Sequence, residues 1–396
     1  MRSDGIGWGV GSSDASLDGP APGSGTGDAG SGDLPPGRRG IGFRSSFAED
    51  LPLLARGGIT EVRLPLEWAR IEPSDGHVDD VEVEHLRRVL TAARDAGLAV
   101  WGCLVDGTLP GWFAHDERGF SDDRSRSYFW ARQVERVGEL FGDLVDGWVP
   151  FHEPNRWAHR GWITGSAPPR RVSDGRGFAV ALEGALLAMV DAARRLRGGG
   201  QPVCSSVWVV PLFPARPDPE TPADAATEAA TTSLDRVLWG SFHRLMTEDV
   251  VAVGDRSPVD VSAAREVFDE IGFTYRGAAA VRADGALLPY PQTLPVETDG
   301  RVPWAHGFGL ALHHVADSFP ERPVRVTGVG TLARDDSRHE EFVREVVEIV
   351  RDASDGGMDL RGVWWESPFD SPGMPGRGLW DADRSPRPSL GVWTAT

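Results

Sequence analysis

The sequence predicts an α/β fold, a (β/α)8 TIM barrel built as a single domain over residues 1–396. Two observations carry this expectation. Eight short runs rich in β-branched and aromatic residues recur along the chain, and amphipathic stretches with apolar residues at three- and four-residue spacing lie between them. That alternation makes a parallel sheet covered by helices, and eight repeats are enough to close it. With 396 residues, 40% of them apolar, the chain can fill one such barrel.

The strand candidates, in order, are Ile6–Val10, Thr60–Trp68, Leu98–Val105, Asp146–Glu153, Pro202–Val210, Ile271–Tyr275, Pro323–Gly328 and Leu360–Glu366. Helical spacing falls on Glu84–Ala96, Ser127–Phe141, Phe178–Leu196, Thr231–Met246, Gly307–Ser318 and His339–Ala353. A Gly/Pro-rich stretch at 19–40 follows the first strand and reads as a loop on the functional face, either a lid or a disordered insert. Pro211–Ala226 reads as a polar, Pro-rich connection on the same face.

Composition narrows the function. The balance of 41 basic against 59 acidic residues gives a net charge of −18, which disfavours nucleic acid and anionic membranes as partners. A small neutral or cationic molecule fits better as substrate, and the sixteen Phe and fifteen Trp permit a hydrophobic natural product. There is no run of 18 apolar residues and no apolar export core at the amino terminus, so the expected location is cytoplasmic. Cys103 and Cys204 sit in apolar runs and read as buried thiols, so neither a disulfide framework nor a metal is expected. Every cation is arginine. The absence of lysine rules out a lysine Schiff base, and no cofactor is expected.

Barrel chemistry sits at the carboxyl ends of the strands. Pro150-Phe151-His152-Glu153-Pro154 closes the fourth strand and places Glu153 at the mouth. In a pocket lined by Trp148 and Trp157 its pKa would rise by desolvation, so that it could act as a general acid near neutral pH. A surface Glu at a strand end is the alternative.

Several ordered motifs carry a resemblance to glycoside hydrolase family 1. Val62-Arg63-Leu64-Pro65-Leu66-Glu67-Trp68-Ala69-Arg70-Ile71-Glu72-Pro73 resembles R-F-S-I-S-W-S-R-I-x-P, and Pro150–Pro154 resembles the acid/base motif T-F-N-E-P. Leu104–Pro110 is similar to L-Y-H-W-D-L-P and Ile271–Tyr275 to I-G-V-N-Y. Val326–Gly330 stands in the place of I-T-E-N-G, and Leu360–Ser367 in that of L-R-G-Y-F-V-W-S. The resemblance implies a β-glucosidase-like barrel with Glu153 as acid/base.

The departures bear on function. The family nucleophile, the Glu of I-T-E-N-G, is here Gly328, and a retaining mechanism needs that second carboxylate roughly 5 Å from the acid. The resemblance also implies that sugar-binding side chains are replaced: Gln by Ser16, His and Trp by Asp106 and Gly107, Asn by His152, and a late Glu-Trp by Gly373 and Met374. Arg63 and Tyr275 are carried over as residues beside the nucleophile position. Glu366 replaces a sugar-contacting Trp and is a candidate second carboxylate, its alternative being an ion pair with Arg63. Asp106 is a further candidate, its alternative being a cap of the Asp106-Gly107-Thr108 turn.

His152 is a binding or proton-transfer candidate, although neighbours on a strand point to opposite faces unless the chain bends. Trp148, Trp157, Trp304, Trp364 and Trp365 are expected to wall the pocket. The expected function is a diverged family 1 glycosidase-like enzyme of specialised metabolism. In it Glu153 would work as general acid/base at an acetal, ether or hydroxyl centre, by inverting hydrolysis, dehydration or cyclisation. One alternative is hydrolysis of an unusual glycoside with Glu366 or Asp106 as second carboxylate. Another is a non-catalytic small-molecule-binding relative.

Overall fold

A computed structural model describes residues 5–12, 17–19, 21, 24, 40–116, 118–216, 220–297, 300–371 and 375–395. Its barrel strands are β1 (Gly7–Gly11), β2 (Glu61–Pro65), β3 (Ala99–Cys103), β4 (Gly147–Val149), β5 (Val207–Trp208), β6 (Ile271–Tyr275), β7 (Val324–Val329) and β8 (Leu360–Trp365). They form one parallel sheet in the order β4-β3-β2-β1-β8-β7-β6-β5. The ring closes just before β5. There the Trp148 amide donates to Pro202 O and the Cys204 amide to Trp148 O, both at 2.9 Å, in a parallel bridge between Trp148 and Val203.

Each strand candidate overlaps one of these strands, β1 and β7 running one residue past theirs, and Ile271–Tyr275 coincides with β6. The fifth is much shorter than Pro202–Val210. Its backbone switches partner from β4 at Val203 to β6 at Val207, so the ladder is broken between them. At that switch Gly272 lies so close to the next chain that a Cβ there would stand 1.9 Å from Ser205 O.

Side-chain caps set where several helices begin. Asp79, Asp174, Asp224 and Asp335 each accept a hydrogen bond from a first-turn amide of the helix they precede, which meets the orphan donors there. The run expected as one helix over Thr231–Met246 is two, Ala225–Leu238 and Gly240–Glu248. Pro211–Ala226 is likewise not a plain connection: Leu212–Pro214 pairs with Ala278–Val281, which pairs in turn with Leu287–Tyr290, in a small side sheet. The loop expected at 19–40 lies almost wholly outside the described residues.

The barrel floor is filled, not hollow. Arg325 is bonded to Glu61 and Glu270, and its guanidinium lies 4.2 Å from the Trp101 ring centroid and 5.1 Å from that of Trp364. Trp364 Nε1 donates to Glu61 at 2.7 Å. Packed interiors of this kind leave the chemistry to the opposite, carboxyl end. No described helix is long and apolar enough to cross a membrane.

Candidate functional site

Four carboxyl-end positions converge on the mouth: Asp106 three residues past β3, Glu153 four past β4, Arg276 one past β6 and Glu366 one past β8. They are buried or nearly so. Beyond β4 the chain continues between the neighbouring strand ends, the His152 amide donating to Val105 O and the Glu153 amide to Ser206 O, both at 2.8 Å. Glu153 then takes a left-handed conformation, φ 56° and ψ 53°. That reversal cancels the strand alternation, which is why His152 and Glu153 both face inward. Pro154 starts a short helix directly afterwards, and Asn155 ties it to Trp208 O and Leu238 O at 2.8 and 3.0 Å.

The Glu153 carboxylate accepts from Thr274 Oγ1 and Arg276 Nε on one oxygen and from Arg156 at 3.1 Å on the other. Burial pushes its pKa up, but Arg276 and Arg156 outweigh burial and hold it well below the usual carboxylate range. The expectation of a raised pKa is therefore corrected. Desolvation acts in the expected direction, but the sequence does not place the guanidiniums that outweigh it. Trp148 in fact is a core residue packed on Gly102.

Glu366 is held by three arginines: Arg276 and Arg377 on one oxygen, the latter at 2.6 Å, and Arg301 at 3.3 Å on the other. Arg276 thus bridges the two glutamates, Nε to Glu153 and Nη1 to Glu366. The ion pair weighed for Glu366 with Arg63 is not made. Arg63 pairs instead with Asp106, which is therefore more than a turn cap.

His152 completes this second group. Its Nδ1 lies 2.8 Å from Ser206 Oγ, which lies 2.7 Å from Thr327 Oγ1, and its Nε2 is 3.5 Å from Arg63 Nη2. Arginine can only donate, so Nε2 is the accepting nitrogen and Nδ1 carries the proton. Burial, with Arg63 adding to it, draws the His152 pKa down to about 3, so the ring is neutral. A Cβ on Gly328 would meet Thr274 Cγ2 at 3.1 Å and His152 Cε1 at 3.9 Å. Position 328 therefore opens on this group.

Other expected site residues fall elsewhere. The Tyr275 hydroxyl donates to Trp304 O at 2.8 Å, and its ring is buried against Phe308. Trp364 belongs to the floor, and Trp365 points outward against Trp393 and His339 with its Nε1 on Arg377 O. Side chains 364 and 365 alternate across the strand, so neither lines the mouth. Trp304 packs with Phe213 and Tyr290 beside the small sheet. Trp157 does reach the mouth region: with Phe120, Trp162, His115, Pro168 and Pro169 it lines a cavity of about 80 Å3. Ser16, Gly373 and Met374 lie outside the described residues.

Sequence reasoning missed Arg276, Arg156, Arg301, Arg377, Thr274 and Ser206. Arg276 had one available signal, its place directly after a recognised strand end. Among the described residues no three His, Cys, Asp or Glu side chains gather as a metal would require.

A family model described as glycosyl hydrolase family 1 matches residues 39–372. The chain is 24% identical over 383 residues to beta-glucosidase 47 of Arabidopsis thaliana, covering 85% of this chain and 70% of that one. It is 23% identical over 268 residues to probable inactive beta-glucosidase 25 of the same plant, covering 60% and 50%. Among solved structures, a beta-glycosidase from Pyrococcus horikoshii aligns over 100% of this chain and 94% of that one. Its TM-score is 0.86 at 19% identity, a likeness of fold.

Proposed function

Since the chain belongs to glycosyl hydrolase family 1, we propose that Gly328 stands at the place of that family's attacking carboxylate, and that the mouth binds a small molecule and does not hydrolyse β-glucosides by retaining displacement. The observation that carries this reading is the Arg276 bridge. A retaining pair needs one free carboxylate and one protonated acid roughly 5 Å apart. Here a single guanidinium bonds both glutamates, Glu153 is held ionised, and Glu366 is engaged by two further arginines. Asp106 is tied to Arg63 and is equally ill placed to attack. The ligand would lie over the mouth, with its apolar part against Trp157 and Trp162.

A second reading, an enzyme of specialised metabolism acting at an acetal, ether or hydroxyl centre, is favoured by one observation. Glu153 is a buried, ionised carboxylate at a strand end, free to accept a proton but with none to deliver.

The test is turnover of nitrophenyl β-glycosides at neutral pH, with and without azide as a replacement nucleophile. No release above the buffer rate is expected under either condition. Glycoside hydrolysis that disappears in Glu153→Gln would refute the first reading and restore Glu153 as a glycosidase acid.

A further inference from the structure

We propose that the mouth is a receptor for a small organic oxyanion, a carboxylate or a phosphate, seated on Arg276. This rests on the reading of the mouth as a binding site and names the ligand class. Glu153 and Glu366 take the Nε and Nη1 edges of Arg276. The remaining nitrogen, Nη2, makes no hydrogen bond among the described residues, and it is not one of the side-chain atoms sealed from solvent without a partner. Two carboxylates arriving from β4 and β8 fix the guanidinium plane, so its open edge is already oriented. A single donor nitrogen held in one orientation can take a carboxylate or phosphate oxygen and loses little freedom on binding.

The local field agrees. Burial lowers the Arg276 pKa, and Arg156 and Arg301 lower it further by like-charge repulsion, while Glu153 opposes them. A bound anion would relieve that repulsion. A neutral sugar would not. The chain as a whole carries −18, so attraction of an anion has to come from this cluster rather than from the surface at large.

The full chain is titrated calorimetrically at low salt with inorganic phosphate, benzoate and benzyl alcohol, the last matching benzoate in ring but lacking charge. At least one anion should bind at least about tenfold more tightly than benzyl alcohol and raise the melting temperature of the wild-type protein. Preference for phosphate or for benzoate tells which oxyanion the seat suits. Arg276→Gln should lower anion affinity about tenfold or more. Arg276→Lys, which keeps the charge but loses the fork, should fall between. Absence of anion binding, equal affinity for benzyl alcohol, or unchanged affinity in both variants overturns the proposal. If Arg276→Gln does not fold, the wild-type comparison and the Lys variant decide. Glycoside turnover by the same preparation would instead refute the underlying reading, whatever the anions do.

Discussion

The histidine at the start of the last long helix gives a sharp test of the packing. His339 is completely buried against Trp365. Burial, with Arg387 adding to it, draws its pKa down to about 4, against about 6.5 in an unfolded chain. Between those two values the unfolded state holds a proton that the fold refuses. Stability is therefore complete above about pH 6.5 and is lost as pH falls toward 4, by about 1.4 kcal/mol per unit. At pH 5 the loss from this residue alone is about 2 kcal/mol, and it approaches about 3 kcal/mol at pH 4. His339→Leu removes the titration. Urea unfolding, followed by tryptophan fluorescence at pH 7 and pH 5, should show the variant gaining about 2 kcal/mol on wild type between the two conditions. A variant that differs from wild type by the same amount at both pH values would refute the assignment of a neutral, sealed His339.

Arg325→Met strands Glu61 and Glu270 in the barrel floor. It should cost about 3–5 kcal/mol in denaturant unfolding, most of it recovered when Glu61→Gln and Glu270→Gln are added. Tyr275→Phe removes a single bond to Trp304 O and should lower stability by about 1 kcal/mol while leaving ligand affinity unchanged in calorimetry. Asp106→Asn leaves Arg63 a buried cation without its ion-pair partner and should destabilise by about 3 kcal/mol or more, read as a lowered denaturation midpoint.

The barrel was legible because strand and helix periods differ, and β6 shows this best, with apolar residues bounded by clear breaks. The small side sheet was not: Ala278–Val281 has little β preference, and its pairing with Leu212–Pro214 joins segments more than sixty residues apart. At the site, the placement of Glu153, His152, Asp106 and Glu366 at strand ends could be read from the motifs, but their partners could not. With every one of the 41 cations an arginine, composition gives no hint which of them turn inward. Of the expected tryptophan wall Trp157 lines a cavity, whereas Trp364 and Trp365, consecutive on a strand, take opposite sides and cannot share a pocket.

The left-handed turn at Glu153 has a consequence for how such a barrel can change. Because the backbone reversal, not the side chain, delivers positions 152 and 153 to the same space, either residue can be exchanged without rebuilding the strand beneath. The scaffold offers two adjacent addresses to selection. On the proposed reading of the mouth as a binding site, single replacements there would change ligand preference while the eight-stranded frame stays as it was.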